Sequence, residues 1–490
     1  MPTAQHFDLI IRGGAVIDGT RGPRFAAEIG VREGRIAAIA VAGELDAAKA
    51  DREIDACGKI VAPGFIDAHT HDDRILLSGP DMLAKVSQGV TTVVTGNCGI
   101  SLAPITHAGG APTPPLDLLD DSGQWYRFPS FAAYLEQMAA TPAALNFAPM
   151  VGHTTLRVAT MDRLDRVATP AEIGRMQSKV QEALGAGAIG VSTGTFYEPA
   201  AAATTDEVIE VCRPLTKANG LYVTHMRNEA ERIIDALDET FLIGRTLGIR
   251  VIVSHHKIAG VPNYGRSVET LAHISKHMAT QRIGLDCYPY CASSTILTWS
   301  RAKNASKVLV TWSKPHPEFA GQALDEIAAK FGVEPKAAID KLLPAGAIYF
   351  QMDEADVQRI LSFEHTMIGS DGLPHDSAPH PRLWGTFPRV LGHYSREMGL
   401  FPLETAIHKM TGLTAATFGF TDRGVIRVGA NADLTLFSAA EVAESATFTK
   451  PIQVAKGIDT VLVNGATVWR DGRPTGARPG QRVQRTATAF

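Results

Sequence analysis

The sequence predicts an α/β fold: a (β/α)8 TIM-like barrel, a small β-sandwich domain formed from both termini, and a subdomain inserted after barrel strand seven. Three observations carry this expectation. Short apolar runs alternate with helical patterns through the middle of the chain. Both ends read as short strands punctuated by Gly and Asn. Residues able to bind metal recur where the apolar runs stop.

The first sixty residues read as β. Phe7-Asp8-Leu9-Ile10-Ile11 leads to a turn at Gly13-Gly14, and Ala15-Val16-Ile17 ends at Asp18-Gly19, a strong turn dipeptide. Residues 27–31 and 36–41 flank Glu33-Gly34-Arg35 as a hairpin. The last sixty residues resume this style, with strands expected at 425–429, 432–437 and 461–465. Two β-rich ends around a different middle point to one small domain, 1–60 plus 423–490.

Between them, residues 61–422 hold the expected barrel. Its strands are placed at 60–68, 90–95, 145–151, 188–193, 221–225, 251–255, 284–288 and 366–370. Pro170-Ala171-Glu172 opens a helix at the favoured first-turn proline. Helices are also expected over 206–218, closed by Asn219-Gly220, over 229–247, over 268–278 and from Pro402 to about 418. The regularity breaks after Tyr288, where residues 291–352 read as a subdomain over the barrel mouth, with helices near 318–331 and 335–342.

At 490 residues the chain exceeds one ordinary compact core. A net charge of −4 gives no sign of a nucleic-acid or anionic-membrane partner, and no apolar run reaches transmembrane length. The N-terminus lacks a basic region followed by an apolar core, so no signal peptide is expected. Five scattered cysteines argue against a disulfide framework and for a reducing cytoplasm. There a cysteine with a task is a thiolate ligand or a nucleophile.

In such barrels the active site lies at the C-terminal strand ends. The first run ends in His69-Thr70-His71, and side chains two apart on a strand point the same way, so both imidazoles can face one point. The second ends in Thr95-Gly96-Asn97-Cys98-Gly99 and the third in Gly152-His153. The fourth ends in Gly194-Thr195-Phe196-Tyr197 and the fifth in His225. The sixth ends in His255-His256-Lys257, the seventh in Tyr288 and the eighth in Ser370-Asp371-Gly372. Taken singly, each is as readily a turn or packing residue. Four histidines, a cysteine and an aspartate on the strand ends of one barrel together read as a metal site. His255 keeps the phase of Val251 and Val253 and is chosen over His256 as the inward residue. For His153 a structural role and a supporting role stay open. His6, His107, His273, His277, His316, His393 and His408 lack a strand-end context and receive no role.

The motif from Pro63 to His71, the histidines on strands five and six, and Asp371 resemble the shared pattern of the amidohydrolase superfamily. Within it, the chain is similar to the D-aminoacylase family, the N-acyl-D-amino acid deacylases. The residues that carry this are Thr95-Gly96-Asn97-Cys98-Gly99, Tyr197-Glu198-Pro199, Thr224-His225-Met226-Arg227, Ser254-His255-His256-Lys257, Tyr288-Pro289-Tyr290 and Ser370-Asp371-Gly372. The resemblance runs over essentially the whole chain, and the Cys98 motif is its most specific part. Many dinuclear relatives bridge their metals with a carboxylated strand-four lysine. Residues 188–193 contain none, and a strand-two cysteine stands in its place.

The resemblance implies a tight zinc held by Cys98, His225 and His255, and a second, weaker site at His69, His71 and Asp371. It implies hydrolysis of the linear amide of an N-acyl-D-amino acid by metal-activated water, with Asp371 as general base and acid. Lys257 and Arg382, with Tyr197 and Tyr288, are expected to grip the substrate α-carboxylate. Arg301 is a candidate partner for an acidic substrate side chain, whereas Ile296, Leu297 and Trp299 are candidates for an apolar pocket. The expectation is broad use of hydrophobic D-residues, with N-acyl-D-glutamate deacylation as the competitor. A cyclic-amide hydrolase of the hydantoinase or dihydroorotase kind would be expected to carry the missing strand-four lysine. A non-catalytic binding protein would be expected to have lost ligands. The expected partner is a small-molecule substrate, with no nucleic acid and no membrane, for a monomer or small homo-oligomer.

Overall fold

The computed structural model describes residues 6–107 and 109–486, so residues 1–5 and 487–490 of the expected small domain lie outside the described ones. The barrel strands run in chain order: Phe65–Asp67, Val90–Thr95, Asn146–Pro149 continued by Val151–Gly152, Gly190–Gly194, Leu221–His225, Val251–Val253, Ile283–Cys287 and Thr366–Ile368. Each pairs in parallel with the next. The ring closes where Ala68 N–H donates to Ile368 O (3.2 Å) and Thr70 bridges Gly372. These strands are buried on both faces, which is why they read as near-continuous apolar and Thr runs rather than as an alternation. Ile66, Val94, Ala148, Val223, Ile252 and Met367 pack into one buried cluster.

The expected first strand, 60–68, is two strands. Ile60–Pro63 pairs with Ala15–Val16 and Leu434–Phe437 in the terminal domain, and only Phe65–Asp67 belongs to the barrel. The chain changes sheets at Gly64, whose N–H donates to Asp433 O (2.8 Å), while the next N–H, of Phe65, donates to Gly89 O (3.0 Å). A Cβ on Gly64 would stand 2.2 Å from Thr91 Cγ2, so the hand-over needs glycine. The expected helix over 206–218 is also two, Thr205–Cys212 and Pro214–Ala218, because Pro214 has no N–H to continue the ladder. The expected helix over 229–247 begins only at Ile233, which leaves Glu229 in the loop above strand five.

Both chain ends supply the small domain. One sheet orders Arg35–Ala40, Glu28–Arg32, His6–Arg12 and Lys49–Asp55. The other joins Ala15–Val16, Phe25–Ala26 and Ile60–Pro63 to Leu434–Phe437, Ile458–Val463, Ala466–Arg470 and Arg473–Pro474. Leu9, Ile11, Val31, Val61, Leu434 and Leu436 form their common core. The strand expected at 425–429 is irregular backbone between two left-handed glycines, Gly424 and Gly429, and its Val428 is exposed. After strand seven an antiparallel sheet of Ala292–Ile296, Ala345–Phe350 and Lys307–Ser313 packs with the helices Leu324–Phe331 and Pro335–Leu342. This unit has its own core around Val310, Ile327, Ile339 and Tyr349, and it carries Ser293–Thr295 and Arg301 to the barrel mouth. Among the described residues no helix is long and apolar enough to cross a membrane.

Candidate metal centre

Strand one delivers His69 and His71 from an end that is fixed by Asp67. Asp67 Oδ1 accepts the N–H groups of His69 (3.3 Å) and Ser370 (2.7 Å), and its Oδ2 accepts from Lys85 Nζ (2.8 Å). Lys85 also donates to Ser370 Oγ (2.6 Å), so one buried cation ties strand one to strand eight. Cys98 follows Gly96, where a Cβ would meet Met150 O at 2.0 Å. Three residues of the centre adopt left-handed backbone: Cys98 (φ +53°), His255 (φ +36°) and Asp371 (φ +49°). Such conformations cost a non-glycine residue about 1–3 kcal/mol each, and they recur where a site dictates side-chain direction.

Strand six ends at Val253, so strand phase does not orient His255. The turn does. His255 N–H donates to Asp286 Oδ1 (2.9 Å) and His256 N–H to Asp286 O (2.6 Å). His255 thereby faces the cluster, while His256 Nε2 turns outward to Thr270 Oγ1 at 2.9 Å.

Cys98 Sγ lies 3.3 Å from His69 Nε2 and 3.4 Å from His255 Nε2. Asp371 Oδ1 is 3.5 Å from His69 Nε2 and 3.2 Å from His71 Nε2. His69, Cys98, His255 and Asp371 form one group whose ligand atoms all lie within 4.8 Å, and His225, Glu229 and His255 form another. The two implied zinc sets are thus interleaved: Cys98 touches His69 as closely as His255, and His225 shares its group with a carboxylate that the sequence reading passed over.

Electrostatics favour a ligand set over a packed core. Burial would raise the Cys98 thiol, yet the neighbouring His69 and His255 hold it well below the ordinary thiol value. Burial likewise opposes the charge on Asp371, but Arg382, His255 and His69 keep its carboxyl well below the usual range. Burial pushes His225 down to about 4, the neutral form that ligates. His69 Nδ1, both His225 ring nitrogens and Glu229 Oε2 are buried without a hydrogen-bond partner. Unpaired buried polar atoms are costly. One thiolate, imidazoles and carboxylates at this spacing fit zinc by donor type, and a bound cation would satisfy one His225 nitrogen and Glu229 Oε2, whereas His69 Nδ1 faces Asp286 Oδ2 at 3.6 Å.

The expected substrate residues divide. Tyr197 and Arg301 line the same small cavity as Cys98, His225, His255 and Asp371. Tyr197 OH pairs with Thr295 Oγ1 (3.0 Å), and Arg301 lies 4.0 Å over the Phe196 ring. Lys257 reaches the cavity but donates to Glu229 Oε1 (2.5 Å), and its Nζ is 2.7 Å from His255 Nδ1. Arg382 Nη1 sits 2.9 Å from Asp371 Oδ2, and Nη2 donates to Ser294 O (3.1 Å). Tyr288 lies between these two cations, with the Arg382 guanidinium 4.5 Å and Lys257 Nζ 5.7 Å from its ring centre, and its OH is unpaired. His153 lies outside both ligand groups, buried 3.6 Å from Glu207, which places it in a structural cluster with Arg157.

Three supporting residues had a sequence signal that went unused. Glu229 follows His225 by four. Asp286 is a lone acid inside the apolar seventh run, and Lys85 lies on the helix leading into strand two.

The model of a family described as "Amidohydrolase family" matches residues 52–263 and 322–469. The chain is 58% identical over 484 residues to a D-aminoacylase from Alcaligenes xylosoxydans xylosoxydans, covering 99% of each chain. It is 56% identical over 476 residues to an N-acyl-D-aspartate deacylase of the same organism, covering 97% of this chain and 94% of that one. It superposes with a TM-score of 0.94, at 46% identity and over 98% of this chain and 100% of the other, on an N-acyl-D-glutamate deacylase from Bordetella bronchiseptica. That structure holds zinc and a phosphonate inhibitor that mimics the tetrahedral intermediate.

Proposed function

The chain belongs to the amidohydrolase family, and on that premise we propose that it hydrolyses the amide of N-acyl-D-amino acids, giving a carboxylate and a free D-amino acid. The observation that carries this reading is the convergence of Cys98, His69, His255 and Asp371 at the barrel mouth beside Lys257 and Arg382. Cys98, His225 and His255 would hold the tight zinc, and His69, His71 and Asp371 a second, weaker ion. Bound zinc supplies a Lewis acid for the scissile carbonyl and makes water more acidic.

The chain's own residues do the rest. Asp371 takes the proton of the attacking water as the C–O bond forms, and returns it to the leaving nitrogen as the C–N bond breaks. Its Oδ1 faces His69 and His71 and its Oδ2 faces Arg382, so the carboxylate is held in place for both transfers. Lys257, Arg382, Tyr197 and Tyr288 are the group we assign to the substrate α-carboxylate, which would select the D configuration. The insertion brings Ser293–Thr295 to the cavity wall.

We propose broad side-chain use weighted to hydrophobic D-residues, supported by Leu118 and Leu373 at the cavity. A second reading, acidic D-residues, is favoured by one observation. Among the described residues no carboxylate pairs with Arg301, and its Nε is buried without a partner. Turnover of N-acetyl-D-leucine against N-acetyl-D-glutamate, before and after Arg301→Ala, tests the pair. If the D-glutamate rate is unmoved by the substitution, the second reading fails. If chelation leaves hydrolysis intact, the metal mechanism fails. A reducing, cytoplasmic location is part of the same proposal, supported by the buried thiol at Cys98.

A further inference from the structure

One cluster of metal-binding side chains stands outside the barrel mouth, built from two histidines to which the sequence reading gave no role. His273 and His277 lie four apart on the helix Ser267–Met278 and so share a face. Their ring centres are 4.7 Å apart. Asp238, on the neighbouring helix Ile233–Leu247, presents Oδ1 2.8 Å from His273 Nε2 and 3.9 Å from His277 Nε2. We infer that His273, His277 and Asp238 form a surface site for a divalent cation of the zinc, nickel or copper type, which joins the two helices.

The spacing supports this directly. Two donors each bonded to zinc at ~2.0–2.1 Å in a tetrahedral arrangement stand roughly 3.3 Å apart. The observed 2.8 and 3.9 Å bracket that value, so small side-chain rotations bring both rings to one ion. An imidazole pair at i, i+4 with one carboxylate is an N₂O set, which suits zinc, nickel and copper over calcium or magnesium. The alternative is an ordinary Asp–His hydrogen bond. It uses one imidazole and leaves His277 facing the same oxygen too far away to bond.

The rings are also held in place. Phe241, three residues after Asp238 and buried, has its ring centre 4.8 Å from His277 and 5.9 Å from His273. This ring packs against both imidazoles and limits their motion. The side chain of Asp238 is 55% exposed and those of the histidines 21% and 22%, which leaves open the face where water completes the coordination. The two helices follow the barrel strands that carry His225 and His255, yet the site shares no residue with that centre.

The test uses full-length, untagged protein with its barrel centre loaded. After equilibration with excess Zn²⁺ and removal of free metal, elemental analysis should find one more equivalent in the parent than in the His273→Ala/His277→Ala double variant. Hydrolysis by the double variant should stay at the parent rate, because none of these side chains reaches the barrel mouth. On an immobilised Ni²⁺ column the parent should be retained and the double variant should flow through. Asp238→Asn should bind more weakly by roughly 10-fold or more. Equal zinc counts in parent and double variant, or column retention that survives the double substitution, overturn the site. Both readouts are independent of whether the hydrolytic reading of the barrel is right.

Discussion

Arg382 Nη1 stands 2.9 Å from Asp371 Oδ2, and both side chains are buried, so the cation orients the carboxylate from the side opposite the histidines. Removing one member of a buried ion pair typically destabilises by about 3–5 kcal/mol, because the other charge is left without a partner. Arg382→Met is therefore expected to lower both stability and kcat/KM. Arg382→Lys should recover part of the stability but less of the activity, since a point charge cannot hold Asp371 Oδ2 and Ser294 O together as the planar fork does. A melting curve and a steady-state assay of each variant check this. Equal activity in the parent and Arg382→Lys would refute the orienting role.

Cys98→Ser keeps the size of the side chain and removes the proposed soft ligand. The left-handed backbone at Cys98 aims Sγ at both His69 and His255, and a serine there would aim a poor, protonated ligand instead. Zinc content after dialysis should fall, with activity falling in proportion, while the fold persists because the turn depends on Gly96 and Gly99 rather than on the thiol. Metal analysis beside circular dichroism separates loss of ligand from loss of fold.

Asp286 stands one layer behind the proposed ligands. Its Oδ2 lies 3.6 Å from His69 Nδ1, and its Oδ1 accepts the His255 N–H, so it steadies imidazoles from two strands. Outer carboxylates of this kind typically contribute about 10–100-fold in metal affinity. Asp286→Asn should weaken zinc retention by that order, measured by competition with a chelator of known affinity. Retention equal to the parent would mean that Asp286 serves only the strand-six turn.

The convergence of these side chains was legible because each closes an apolar run, and barrel topology turns strand ends into neighbours. What lay beyond local pattern is the pairing of distant segments. Ile60–Pro63 and Phe65–Asp67 form one apolar stretch in sequence, and only the partners Leu434–Phe437 and Val90–Thr95 divide it between two sheets. Strand alternation selected His255 over His256, but the strand ends before either residue. The inward direction comes from the Asp286 clamp and a φ of +36°. Lys85 illustrates the same limit. Nothing in its helix announces that its ammonium will be buried between Asp67 and Ser370, which are 303 residues apart.

Glu207 makes an acid-stability prediction away from the barrel centre. It is buried, takes the Arg157 guanidinium, accepts the Ala168 N–H (2.8 Å) and lies 3.6 Å from His153 Nε2. Burial alone would raise its carboxyl, but His153, the Ala168 amide and Arg157 outweigh that and hold it at about 2, against an ordinary 4.5. The folded state therefore binds fewer protons here than the unfolded state between those two values, so stability rises with pH across that window. The contribution is fully present above pH 4.5 and is lost as pH falls through about 2. A shift of this size corresponds to at most about 3.5 kcal/mol. Glu207→Gln should melt lower than the parent at neutral pH, and the gap should narrow as the buffer is taken down through the acid window. A gap that stays constant between pH 5 and pH 2.5 would assign the loss to packing rather than to the carboxylate's charge.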